Sequence, residues 1–102
     1  MAKFKISVEA EKDLEKIWAY TFETWSLEQA DRYLNQIFEE IEYISTKPEQ
    51  GKDFGYVRKG YLRTKVRLHY LFYKIDKKTE MVEIIRILHQ RMDIENRFKS
   101  SF

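Results

Sequence analysis

The sequence predicts an α+β fold. One strand, two helices and three further strands follow in that order (β-α-α-β-β-β). The helical hairpin packs on one face of a small, mainly antiparallel sheet, and a short helix closes the chain. Three observations predict this. An alternating run opens the chain, and two capped amphipathic segments follow almost without a loop. Residues 60–93, GYLRTKVRLHYLFYKIDKKTEMVEIIRILHQRMD, then carry three apolar-rich runs and two turns. Strands segregated from helices point to α+β rather than to alternating parallel units.

Lys3 to Val8 (KFKISV) places Phe4, Ile6 and Val8 on one side and Lys3, Lys5 and Ser7 on the other, the pattern of a half-buried strand. Ser7 is placed to cap the next helix, which shortens the strand. Glu9, Glu11 and Asp13 fall in the first turns, where the helix dipole favours anions. The first helix spans Val8 to Trp25. Its core face is Ala10, Leu14, Ile17, Trp18, Thr21 and Trp25, and Glu11, Lys12, Glu15 and Lys16 face water. Ser26 with Gln29 forms a capping box that starts a second helix reaching Thr46. Leu27, Ala30, Leu34, Ile37, Phe38, Ile41 and Ile44 form its stripe, and the tight junction makes an αα-hairpin. Pro48 and Gly51 end the helix, and Lys52 to Lys59 reads as a flexible loop.

The basic run then alternates. Tyr61, Arg63, Lys65 and Arg67 share one face of a strand, and Leu62, Thr64, Val66 and Leu68 share the other. His69 to Ile75 is nearly continuous in apolar residues and suits a central strand buried on both faces. A turn at Asp76 to Thr79 leads to a third strand, Met81 to Leu88, and short connections make these strands an antiparallel meander. Met92 to Phe98 offers one or two turns of helix.

Composition narrows the function. A chain of 102 residues is the size of one ordinary domain, so residues 1–102 are read as one. The absence of cysteine excludes disulfide scaffolds, cysteine-based zinc sites and thiol nucleophiles, and fits a reducing compartment. His69 and His89 are too few for a typical metal cluster, so neither a metal nor a cofactor is expected. No apolar run approaches the roughly 18 residues of a membrane span, and the N-terminus lacks a signal-peptide core. The expectation is a soluble cytoplasmic protein without a membrane partner. Residues 1–50 hold 6 Lys/Arg against 11 Asp/Glu, whereas residues 51–102 hold 13 against 6. A basic second half suits a polyanion or an acidic partner, or else simply attracts the first half.

The chain contains no GxSxG, P-loop or HExxH. What remains is cationic: Arg63, Lys65, Arg67, Arg86, His89 and Arg91. Such a group suits phosphate, because cations stabilise developing charge and a histidine moves a proton. Tyr61, Tyr70 and Tyr73 offer stacking faces for bases. The alternative is structural: alternating cations keep a sheet face or edge soluble, and the aromatics serve the core.

The chain resembles the RelE/ParE superfamily of toxins from bacterial type II toxin–antitoxin systems, and within it the ParE-like branch. The resemblance covers essentially the whole chain. It rests on Ile6-Ser7-Val8-Glu9-Ala10-Glu11-Lys12-Asp13-Leu14, Ile17-Trp18-Ala19-Tyr20, the Trp25-Ser26 junction and Lys47-Pro48-Glu49-Gln50-Gly51. It rests above all on His69-Tyr70-Leu71-Phe72-Tyr73-Lys74-Ile75 followed by Ile84-Ile85-Arg86-Ile87-Leu88-His89-Gln90-Arg91-Met92-Asp93.

The resemblance implies a growth-arresting, plasmid-stabilising toxin in a hetero-oligomer with a cognate antitoxin. ParE-like members bind DNA gyrase and are not enzymes. RelE-like members are endoribonucleases that cleave mRNA on the ribosome, and for that mechanism the catalytic candidates are Arg63, Lys65, Arg67, Arg86, His89 and Arg91. Where catalytic-His members carry that residue, two before an Asp, this chain has Arg91 before Asp93. His89 matches a histidine that ParE-like chains also carry. Gln90 and Val8 stand where many ParE-like chains have Gly and Pro. The whole-chain resemblance and Arg91 in place of that histidine favour gyrase binding; mRNA cleavage, and a non-toxic relative that only binds antitoxin, are the alternatives. The partner-binding candidates are Arg63, Lys65, Arg67, His89, Arg91 and Asp93, and an acidic, amphipathic antitoxin tail is expected to dock on the sheet.

Overall fold

The computed structural model describes residues 4–101. Strand β1 (Phe4–Ile6) leads into helix α1 (Val8–Thr24) and helix α2 (Leu27–Thr46). A 3₁₀ turn (Pro48–Gln50) follows, then β2 (Lys52–Asp53), β3 (Leu62–Val66), β4 (His69–Ile75), β5 (Val82–His89) and helix α3 (Ile94–Ser101). The strands lie in the order β1-β5-β4-β3-β2. β1 runs parallel to β5, and the other pairs are antiparallel. The α+β expectation holds, with one strand more than predicted. Lys3, placed in the first strand by the sequence, lies outside the described residues.

The first strand ends early because Ser7 is a cap. Its Oγ accepts from the Ala10 N–H at 3.0 Å and donates to the Ile85 carbonyl at 2.8 Å, so one side chain starts α1 and ties it to β5. Val8 is therefore the first helical residue and is exposed, not a third inward residue of the strand. Ser26 repeats the device for α2, accepting from Gln29 N–H at 3.1 Å.

The hairpin covers one face of the sheet. Ala10, Leu14 and Ile17 of α1 and Ile37, Ile41 and Ile44 of α2 pack against Val66, Leu71, Tyr73, Val82, Ile84 and Ile87. The predicted stripes overshoot at the hairpin tip: Trp25 is 72% and Leu27 52% exposed, with no described element covering them. The opposite face is also covered. Phe54, Tyr61, Phe72, Ile85, Leu88 and Phe98 form a second core there. Phe98, from α3, lies 4.7 Å from Phe72 and 5.3 Å from Phe54, ring centre to ring centre. The segment read as a flexible loop is thus structural: Lys52–Asp53 adds an edge strand and Phe54 is buried. β4 is central and buried on both faces, as its continuous apolar run predicts. A bulge shifts the register between Phe72 and Tyr73, so that Phe72 faces Arg86 and Tyr73 faces Ile84.

Gly51 is required by a close approach. A Cβ there would lie 1.9 Å from the Tyr73 hydroxyl oxygen, which donates to the Pro48 carbonyl at 2.7 Å. Tyr73 is fully buried and burial pushes its pKa up to about 12, so the hydroxyl stays a donor. Gly51→Ala is expected to destabilise the fold by about 1–3 kcal/mol, read as a lower urea midpoint. Tyr73→Phe in the same background should recover part of the loss.

Candidate functional site

The six cationic candidates divide between the two faces of the sheet. Arg63 and Lys65 lie on the face of the second core, against Tyr70: the Arg63 guanidinium is 4.7 Å and the Lys65 ammonium 5.5 Å from the ring centre. Arg67 leaves that face. It turns through a left-handed conformation, φ 51°, and its Nε donates to Gln36 Oε1 of α2 at 2.8 Å. Sequence alternation placed it beside Arg63 and Lys65, but the tight turn after Val66 breaks the alternation.

Arg86 is committed elsewhere. Its Nε and Nη2 donate to the two carboxylate oxygens of Asp13 at 2.8 and 3.0 Å, and the Ile87 N–H donates to the same carboxylate at 2.9 Å. β1 covers only the first residues of β5, and Asp13 serves the Ile87 N–H beyond it, much as another strand would. The Asp13 hydrogen bonds hold the guanidinium pKa above its ordinary value, against the effect of burial. Arg86 therefore fastens α1 to β5 rather than holding a phosphate.

The two histidines form a cross-strand pair at the end of the sheet, on the hairpin side. His69 faces His89, with ring centres 5.1 Å apart. His69 Nδ1 lies 2.6 Å from the Tyr33 hydroxyl of α2, which is also 3.1 Å from the Val66 carbonyl and 3.3 Å from the Leu68 N–H. All three contacts are satisfied when His69 Nδ1–H and Leu68 N–H donate to Tyr33 and Tyr33 donates to Val66. Burial raises the Tyr33 pKa, which keeps the hydroxyl protonated. His89 Nδ1 accepts from the Arg91 N–H at 3.1 Å. The side chain of Arg91 is exposed. Asp93 accepts from Asn96 Nδ2 at 2.6 Å, and its carbonyl accepts from the Arg97 N–H at 3.1 Å, so it starts α3.

Burial, reinforced by His89 and opposed by Asp13, lowers the His69 pKa from 6.5 to about 4. Between those values the unfolded chain binds a proton that the folded chain refuses. Stability present above pH 6.5 is therefore lost as pH falls toward 4. A His69→Gln variant should show a flatter dependence of thermal midpoint on pH across that window.

Of the tyrosines read as stacking platforms, Tyr73 is buried on the hairpin side and Tyr61 is buried in the second core. Tyr70 alone is half-buried, beneath two cations. Histidine and basic ladder thus sit on opposite faces of the sheet. Among the described residues no group of three or more His, Asp or Glu is placed to hold a metal ion, and no helix is long and apolar enough to cross a membrane.

Sequence reasoning missed the hairpin's outer groove. Leu14, Trp18, Leu34 and Phe38 line it, with Glu15 on its rim. Phe22 extends it, stacked on Trp18 at 5.3 Å, and the Trp18 indole N–H donates to Asp31 at 3.0 Å across the two helices. The signal was the excess of apolar residues: the α1 stripe runs on past the buried Leu14 to Trp18 and Phe22, beyond what the sheet covers.

Comparison with known proteins identifies the family. Residues 4–94 match the model of the family described as ParE toxin of type II toxin-antitoxin system, parDE. Toxin ParE1 of Caulobacter vibrioides is 37% identical over 93 residues, covering 91% of this chain and 94% of the relative. Toxin ParE1 of Mycobacterium tuberculosis is 31% identical over 94 residues, covering 92% and 95%. In structure the chain is similar to one from the chromosomal ParDE system of P. aeruginosa, with a TM-score of 0.74 at 18% identity over 87% of this chain and 96% of that one. It is also similar to a chain of the M. tuberculosis toxin–antitoxin complex RelBE2, with a TM-score of 0.63 at 22% identity over 87% and 99%. A family match across almost the whole chain, together with relatives above 30% identity over nine-tenths of it, establishes that this protein belongs to the ParE toxin family.

Proposed function

We propose that this protein arrests bacterial growth by binding DNA gyrase in the cytoplasm, without cutting RNA, and that a cognate antitoxin neutralises it. The observation that carries the choice is the division of the nuclease candidates: His89 on the hairpin face, Arg63 and Lys65 on the opposite face, and Arg86 bound to Asp13. General acid–base cleavage needs a proton-transfer group and phosphate-holding cations around one scissile bond; Arg63, Lys65 and Arg86 lie away from His89, and of the cations at its end of the sheet Arg67 is held by Gln36. The test is direct. Purified toxin should block supercoiling by gyrase or trap cleaved DNA, while transcripts from induced cells stay intact. Gyrase fully active at excess toxin, or codon-positioned cuts in mRNA, would overturn the reading.

For the antitoxin, the hairpin groove is the better seat than the sheet, because the apolar side chains of both sheet faces are already buried, which leaves no apolar groove there for an amphipathic segment. Residues 8–46 hold 3 Lys/Arg against 10 Asp/Glu. Charge complementarity therefore favours an amphipathic segment with an apolar stripe flanked by cations, laid between α1 and α2.

A further inference from the structure

We propose that Lys52, Arg63 and Lys65 form a site for the phosphodiester backbone of DNA on the face of the sheet opposite the helical hairpin. The ladder register sets Lys52 directly opposite Arg63, so both side chains lie on the same face, and Lys65 is two residues further along β3 on that face. Like charges directly opposite one another destabilise a sheet. No ion pair among the described residues relieves them here. The ion pairs among the described residues are Lys74–Glu83 and Arg86–Asp13, and neither includes any of the three. Instead Arg63 and Lys65 rest on the Tyr70 ring, and Arg63 also lies 6.0 Å from the Phe54 ring centre. Aromatic faces hold the cations in place without neutralising them.

A fixed cluster of cations with no ion-pair partner among the described residues wants anions. Arg63 and Lys65, alternate residues of β3, are ~6.7 Å apart, a spacing that suits successive phosphates of one nucleic-acid strand, and Lys52 lies beside Arg63 on the neighbouring strand. Lys65 is exposed and Lys52 is at the sheet edge, so a strand can pass over both. Arg58 flanks the cluster, its guanidinium over the Tyr61 ring and its Nη1 donating to the Phe98 carbonyl. Neither histidine lies on this face, so a bound backbone would be held and not cut. The choice of DNA rests on the gyrase reading, because a toxin acting on gyrase acts where DNA is present.

Fluorescence polarisation of a labelled 20-base-pair DNA duplex with the full chain tests the site without gyrase. Binding should weaken with salt, with a slope of log K against log salt of about −0.9 per phosphate contact. Lys52→Gln and Lys65→Gln should each reduce the slope by about 0.9, with unchanged circular dichroism. No binding at low salt, or variants with the parental slope, would overturn the proposal. Polyglutamate bound as tightly as the duplex would assign the cluster to an acidic protein, and tighter binding of an RNA of the same length would refute the choice of DNA. Failure of these assays leaves the gyrase reading standing. Duplex binding by a toxin that leaves gyrase active would reject gyrase and keep the site.

Discussion

Asp13→Ala is expected to lower the unfolding free energy by about 3–5 kcal/mol, the usual cost of breaking a buried ion pair by removing one partner. The side chains of Asp13 and Arg86 are only 8% and 15% exposed, so water cannot replace the lost contacts. Two groups lose this partner at once. The Arg86 guanidinium loses a two-pronged partner, and the Ile87 N–H loses the acceptor that stands in for a neighbouring strand. A domain of this size has about 5–15 kcal/mol to lose, so the variant should be marginal at 37 °C. Asp13→Asn keeps an acceptor for Ile87 and should fall between the two. Arg86→Met in the Asp13→Ala background should recover part of the loss, since replacing both members of a buried pair is far cheaper than orphaning one. Urea unfolding monitored by circular dichroism measures all three. An Asp13→Ala midpoint within error of the parent would show that Asp13 is not what closes the edge of β5.

Much of the fold was legible before any coordinates, and the failures have local causes. The caps at Ser7 and Ser26, the helix periods and the continuous apolar run of β4 are properties of short segments, and each was readable. Asp13 was also within reach. It lies three residues after Ala10 and four before Ile17, on the buried face, where a carboxylate needs a partner. Reading it only as a helix-dipole anion concealed its long-range role, because the partner, Arg86, is 73 residues away. The same distance problem hid the second core. Phe54 and Phe98 come from segments without periodicity, one read as a loop and one as a short tail, and only tertiary packing brings both onto Phe72. Arg67 failed for another reason. Strand alternation presumes extended backbone, and a residue at φ 51° in a tight turn no longer follows it. Where the candidate cations sit relative to one another was not legible, since faces and edges are set by register and turns.

Trp18→Ala should cost antitoxin binding about 2–4 kcal/mol, or roughly 30- to 1000-fold in Kd, if the hairpin groove is the antitoxin's seat. Trp18 is the only groove residue that stacks on a second aromatic ring and donates a hydrogen bond across the two helices, so it both lines the groove and shapes it. Large aromatic anchors in partly desolvated grooves carry most of the energy of such interfaces. The side chain is only partly buried, so the toxin should still fold, which circular dichroism verifies. Glu15→Lys separates packing from charge. It leaves the apolar lining intact and reverses one charge on the rim. It should slow association, with a weakened salt dependence, whereas Trp18→Ala should speed dissociation. In cells the two effects have one signature: toxicity retained, and rescue by co-expressed antitoxin reduced. A Trp18→Ala toxin neutralised at the parental antitoxin ratio, with parental Kd, would move the antitoxin off the hairpin and return it to the sheet.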